Sequence, residues 1–301
     1  MLEQLTLILP QLLVNALIAG SIYALVSAGL SLSYGLLKIL NFAHGHILMT
    51  GVYFFYLFFA VLGYSIYLSS FLTLLSVMVL AVLALNIFVL PFYRYSFVLT
   101  FVTTIALANI LEALVAIFFG VNVKSLSSGS IMESYEIYNV FITPIQIIII
   151  VSSVVILGLI ALVINFSSFG RMIRAIAENA EAAQALGVNK YRVIYFVFIV
   201  SVILATYAGI MIGFETNMQP TMGHAYTIKA FAAMVLGGLG NFWGAVVGSY
   251  LLGLVENLGI GLDFWGYSVP AGYRDAFAFM IILLMLLVKP EGLFNKKRRK
   301  A

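Results

Sequence analysis

The sequence predicts an all-α, polytopic membrane protein, and three observations carry that expectation. Of 301 residues, 63% are hydrophobic and only 9% are charged. The mean hydropathy is +1.13. The charges are also separated by apolar runs longer than any soluble core helix leaves unmarked: thirty-four residues between Glu3 and Lys38, and fifty-five between Lys38 and Arg94. A water-soluble domain carries charge on roughly a quarter of its residues. Because about 20 apolar residues cross a bilayer, the chain has room for about 8–9 transmembrane helices in one domain covering residues 1–301, and for no separate aqueous domain. The absence of cysteine excludes disulfides, thiolate metal sites and cysteine nucleophiles.

The charge gaps place the spans in order at about 10–34, 44–63, 67–90, 97–119, 145–165 and 193–214, then a glycine-broken stretch at 222–240, a helix at 242–258 and a last one at 272–289. The first stays as a span rather than a cleaved leader, because its first charge is acidic and its apolar run is too long. Lys and Arg in short loops are retained on the cytoplasmic side. Lys296, Lys297, Arg298, Arg299 and Lys300 in the tail at 295–301, Arg171, Arg174, Lys190 and Arg192 in the central loop, and Lys38, Arg94 and Lys289 share one side. That arrangement makes the C-terminus cytoplasmic and puts the loop at 121–143 outside, with the N-terminus outside by parity. The tail directly follows a span, which favours topology and anionic-lipid contact over nucleic-acid binding.

Residues 171–190 form the longest polar stretch on that side and are rich in helix-forming Ala, Glu and Arg. On a helical projection Met172, Ile173, Ile176, Ala180, Ala183 and Leu186 share an arc of about 140°, opposite Arg171, Arg174, Glu178 and Glu181. Arg174 and Glu178 stand at i, i+4, and Gly187 is placed to close the helix. Such a helix serves as a solvated connector, an interfacial anchor or a docking surface for a partner.

Charged groups at membrane depth cost about 2.5–3.5 kcal/mol each on insertion scales, so each is a functional candidate by default. Glu112 is the deepest, with Asn109 one turn earlier. Glu215 and Lys229 lie nearer the outer face, where they pair with one another, with a binding protein or with water; Glu256, near a helix end, is read as solvated. Asn41 and Asn241 each precede Phe at a helix start on the cytoplasmic side, as structural caps or as substrate contacts. His44 is a gate residue or a hydrogen-bonded structural histidine. Small residues recur every fourth position at Ala16, Gly20, Ala24 and Ala28, and again at Gly240, Gly244 and Gly248, as seams for close helix packing.

Several motifs resemble one family. Glu181-Ala182-Ala183-x-x-x-Gly187 is similar to the E-A-A-x-x-x-G loop of bacterial ABC-importer permeases, without the Ile-x-Leu-Pro ending of the wider pattern. Asn41-Phe42-Ala43-His44-Gly45, the run Lys229-Ala230-Phe231 with Val235 to Gly240 and Gly244 to Gly248, and Lys289-Pro290-x-Gly292-Leu293 resemble, in order, the elements of the LivH-type branch, the membrane subunits of branched-chain amino-acid uptake.

The resemblance implies a multi-pass cell-membrane permease that binds no cofactor and is driven by ATP used on partner subunits. Those partners are two cytoplasmic ATPases, an extracytoplasmic binding protein and a second permease subunit, LivM-type rather than a copy of this chain. It also makes Arg171, Arg174, Glu178, Glu181, Ala182, Ala183 and Gly187 the coupling helix. Asn41, His44, Asn109, Glu112 and Lys229 are the candidates for the translocation path or gate. The chain has no P-loop, no G-x-S-x-G, no H-E-x-x-H and no histidine pair at metal spacing, so neither an ATPase nor a metal site is expected. His44 and His46, two apart on a helix, diverge. The rival is an ion-coupled secondary transporter or channel coupled through Glu112 and Lys229. It accounts for the composition but not for the amphipathic segment or the ordered motifs.

Overall fold

The computed structural model describes residues 2–93, 95–126, 134–137, 140–261 and 270–294. In chain order these form α1 (Leu2–Leu37), α2 (His44–Tyr56), α3 (Ile66–Ala84), α4 (Leu90–Tyr93) and α5 (Phe97–Phe119), then the strands β1 (Tyr135–Ile137) and β2 (Val140–Ile142). They continue with α6 (Pro144–Phe166), α7 (Ser168–Glu178), α8 (Ala180–Ala185), α9 (Lys190–Glu215), α10 (Met222–Gly237), α11 (Phe242–Gly261) and α12 (Arg274–Val288). One π-helical turn, Leu57–Val61, extends α2, and another, Leu85–Val89, joins α3 to α4. Among the described residues, seven helices are long and apolar enough to cross a membrane; α10 and α12, at 16 and 15 residues, are shorter. The first uncharged gap holds one unbroken helix. The two strands form an antiparallel hairpin, with Glu136 opposite Phe141, an addition to the all-α expectation. Gln11 pins it by bonding both the N–H and the carbonyl of Phe141, at 2.8 and 3.1 Å. Arg94, Glu133 and the basic tail at 295–301 lie outside the described residues.

The helices sort by what they touch. α3, α5, α6 and α12 present Phe71, Val102, Ile117, Val154 and Leu287 outward, an apolar surface suited to lipid or to another membrane subunit, with the backbone polar groups bonded within each helix. α2 is buried along nearly its whole length, packed against α9, α10, α3 and α5. α1 packs most extensively against α11, and then against α9. Ser27 Oγ lies 2.5 Å from Ser249 Oγ, and Ser201 Oγ donates to the Gly29 carbonyl at 2.7 Å.

Small residues make these approaches possible. Ala16, Ala24 and Ala28 are buried, and Gly20 lies against the Tyr250 ring. Between α10 and α11 the backbones nearly touch: a Cβ on Gly237 would stand 1.9 Å from the Gly244 carbonyl oxygen, and one on Gly248 would stand 2.2 Å from that of Ala233. Gly240, at φ +77°, belongs to the turn before α11 and rests on Gly35. Gly248→Val should therefore push the pair apart, with overpacking that costs about 1–3 kcal/mol and a lower melting temperature in detergent.

Two chain reversals shape the interior. Lys38, at φ +56°, ends α1 with its N–H on the Tyr34 carbonyl at 2.8 Å. The chain then turns back into the bundle before α2 starts. His44 Nε2 lies 3.0 Å from the Val26 carbonyl, eleven residues before the end of α1, or about 16 Å along its axis. The Phe42 N–H donates to Thr104 Oγ1 at 3.3 Å. The helix that follows thus begins at depth, and Asn41 does not cap it as expected from sequence but braces the turn before it, its Oδ1 accepting the Ala43 N–H. At the other reversal, Lys289 to Phe294 fold onto the end of α10. There the N–H groups of Leu293 and Phe294 donate to the carbonyls of Leu236 and Gly237, at 2.9 and 3.1 Å. The Lys-Pro-x-Gly-Leu motif therefore satisfies carbonyls that the end of a helix leaves open.

Candidate functional site

The first turns of α2 and α10 meet on α5. His46 and His224, each the third residue of its helix, converge on Glu112: His46 Nε2 lies 3.2 Å and His224 Nε2 2.9 Å from the same oxygen, Oε2. The two rings stand edge to face with centroids 4.4 Å apart. Glu112 thus places negative charge at the positive ends of two helices. His46 is 1% exposed, Glu112 26% and His224 56%, so the cluster grades from sealed to open. Its open side lines a cavity of about 320 Å³ that also takes Asn109, Gln219 and Thr221. A second cavity of about 300 Å³ shares Thr221 and His224 and reaches Lys229 and Asp275. Both lie along the side of α10, with largely apolar walls that carry a few polar and charged groups.

Against the second cavity lies a charged network. Lys229 Nζ donates to Tyr23 Oη at 3.0 Å, to Glu256 Oε2 at 3.3 Å and to Asp275 Oδ1 at 3.1 Å, while Tyr23 Oη donates to Glu256 Oε2 at 2.7 Å. Glu256 is fully buried, which corrects its reading as a solvated end residue: α1 and α10 cover it. Glu215 does not pair with Lys229 but accepts from Gln146 Nε2 at 2.9 Å.

Of the path candidates, Asn109 and Glu112 line the first cavity and Lys229 the second. Asn41 and His44 take structural bonds. The Ala43 N–H donates to Asn41 Oδ1 at 3.1 Å, and His44 is sealed against α1. Asn241 caps α11 through the Gly244 N–H at 3.1 Å. Sequence reasoning missed His46 and His224. Comparing His46 only with His44 hid a partner 178 positions away, although a polar group in an apolar span was itself a signal.

The polar segment is two helices, not one. α7 folds sharply back from α6, with Ser167 Oγ accepting the Gly170 N–H at 3.0 Å. The Arg174 guanidinium donates to the Ile164 carbonyl instead of pairing with Glu178. Asn179 breaks the expected helix because its side chain accepts the N–H groups of Glu181 and Ala182, at 3.1 and 3.0 Å, and starts α8. Gly187, at φ +86°, closes α8 with its N–H on the Gln184 carbonyl at 2.9 Å. Ala183 is buried, while Arg171, Arg174, Glu178, Glu181 and Ala182 are exposed. Leu186, expected on the buried arc, is 87% exposed beyond the last turn.

A hollow carrying a few convergent polar groups along α10, inside a bundle of long helices with an apolar exterior, is the arrangement of a membrane permease. The chain belongs to the family described as the branched-chain amino acid transport system permease component, whose model matches residues 12–286. It is 30% identical to the high-affinity branched-chain amino acid transport system permease protein BraD of Pseudomonas aeruginosa, over 95% of each chain. It is 29% identical to LivH of Salmonella typhimurium over 98% of each. Among solved structures, PsaBC from Streptococcus pneumoniae in complex with Fab matches with a TM-score of 0.52 at 15% identity, over 94% of this chain and 92% of that one. A chain whose description assigns it to the metal-chelate type of ABC transporter matches at 0.51 and 16%, over 93% and 87%. At these identities the two solved chains share the fold.

Proposed function

We propose that this chain is the translocating subunit of an ATP-driven importer for branched-chain amino acids or similar small polar solutes, with the hollow along α10 as part of the path. The observation that carries the reading is the α7–α8 unit. It is polar, capped at each start, folded tightly against α6, and presents Glu181, Ala182 and Leu186 to the outside. An exposed leucine suits insertion into the bilayer interface as well as a protein groove; the E-A-A-x-x-x-G resemblance of Glu181 to Gly187 favours the groove of an ATPase. The same end of the bundle carries Lys38, Lys190 and Lys289, so it faces the cytoplasm, as does the tail. With α10 and α12 counted, nine helices cross the membrane. The partners are two ATPases, an extracytoplasmic binding protein and a second permease subunit of LivM type, with lipid around them and no nucleic acid; ATP is hydrolysed on the ATPases alone.

Proteoliposomes holding the complex test this. Leucine uptake should require ATP and the binding protein and should persist when proton and sodium gradients are collapsed. Uptake driven by either gradient in vesicles lacking the ATPases would overturn the reading.

A further inference from the structure

We propose that His46, Glu112 and His224 form a binding site for a divalent transition-metal ion of the zinc type. Three helices, α2, α5 and α10, each bring one ligand, and the ligand atoms all lie within 4.8 Å of one another. Two nitrogens and one carboxylate oxygen are the donor set of open zinc sites, which keep a fourth position for water or another ligand. Donors about 2.0–2.1 Å from a tetrahedral zinc stand about 3.3 Å apart; here each histidine nitrogen is 3.2 or 2.9 Å from Glu112 Oε2. Binding therefore needs each imidazole to free Nε2 by carrying its proton on Nδ1, while the two sides of the triangle that meet at Glu112 already stand close to the zinc spacing and all three ligand atoms lie within 4.8 Å of one another. Neutral imidazole is the ligating form. The open position faces the 320 Å³ cavity, so the ion has a route in and room for a water.

Composition sharpens the assignment. The chain has three histidines and no cysteine, and the remaining histidine, His44, is fully buried with Nε2 on the Val26 carbonyl. No other place among the described residues offers an imidazole to a metal. The surrounding structure also fixes the ligands: Thr227 Oγ1 accepts the Gly45 N–H at 3.1 Å, locking the first turn of α2 to α10.

Equilibrium dialysis of the purified transporter complex against Zn²⁺, with affinity tags removed and metal counted by elemental analysis, tests the site. Wild type should hold one more zinc per copy of this chain than the complexes carrying His224→Ala or Glu112→Gln, whose affinity at this site should fall at least about tenfold. His224 is exposed, so His224→Ala should keep the wild-type melting temperature. His224→Asn, which preserves a hydrogen bond to Glu112, provides a second folded variant. Co²⁺ should give a visible absorption band in wild type that both His224 variants lose. Equal metal content in wild type and variants, or a Co²⁺ band unchanged by the substitutions, would overturn the proposal.

Discussion

Glu181→Lys combined with Gly187→Pro should reduce ATP-driven uptake to background and release the ATPases, while the subunit still reaches the membrane in normal amounts. Proline cannot adopt φ +86° and has no N–H for the Gln184 carbonyl. The last turn of α8 would open and carry Leu186 away from its present position. Lysine at Glu181 puts a cation into the first turn of a helix, where the dipole disfavours it, and reverses the charge offered to a partner. Both residues are exposed, so insertion and packing of the spans should survive. Co-purification of the ATPases and uptake in vesicles are the two readouts. Undiminished transport by this variant would remove α8 from the coupling route.

Lys229→Met should be the most destabilising single substitution in the bundle. It leaves the Glu256 carboxylate, fully buried and with Oε1 already unpartnered, with the Tyr23 hydroxyl as its remaining hydrogen-bond partner and Arg274 as a more distant counter-charge. Removing one partner of a buried ion pair costs about 3–5 kcal/mol, mostly because of the charge left behind. Glu256→Gln in the Lys229→Met background should restore much of that stability, since the uncompensated charge disappears. The double-mutant cycle should give a coupling of about 0.5–3 kcal/mol. Thermal unfolding of the four proteins in one detergent measures it. Additive losses would mean that Lys229 is held by Asp275 and water rather than by Glu256.

The sequence marks depth along a helix well and direction around it poorly. The spans read at 97–119 and 145–165 match α5 and α6 within a residue of their observed ends, because polar and turn residues bound these apolar runs even where a charge, Glu112, lies inside one. The same reasoning put Glu256 near an aqueous end, and there it failed. Its distance from the end of α11 was visible, but not that α1 and α10 close over that side. It failed again at Lys229, whose partner was sought at the same depth in Glu215 rather than across the bundle. The rise of the chain between Lys38 and His44 left no trace, since apolar residues suit both a surface turn and an interior one. Asn179 was legible in principle: it is a capping residue followed by Glu in the first turn, but the helix-forming alanines around it favoured continuity. Pairing across three helices, as at His46, Glu112 and His224, needs the fold itself.

The close partnership of α1 and α11 has a consequence for biogenesis. Ser27 and Ser249 are separated by 222 positions, and at 5–20 residues per second a ribosome takes roughly 10–45 s to make that stretch. Throughout that interval the alanine and glycine face of the first span has no mate and must be shielded by lipid or by the insertion machinery. A chain terminated before α11 would leave that face without the helix it packs against most extensively.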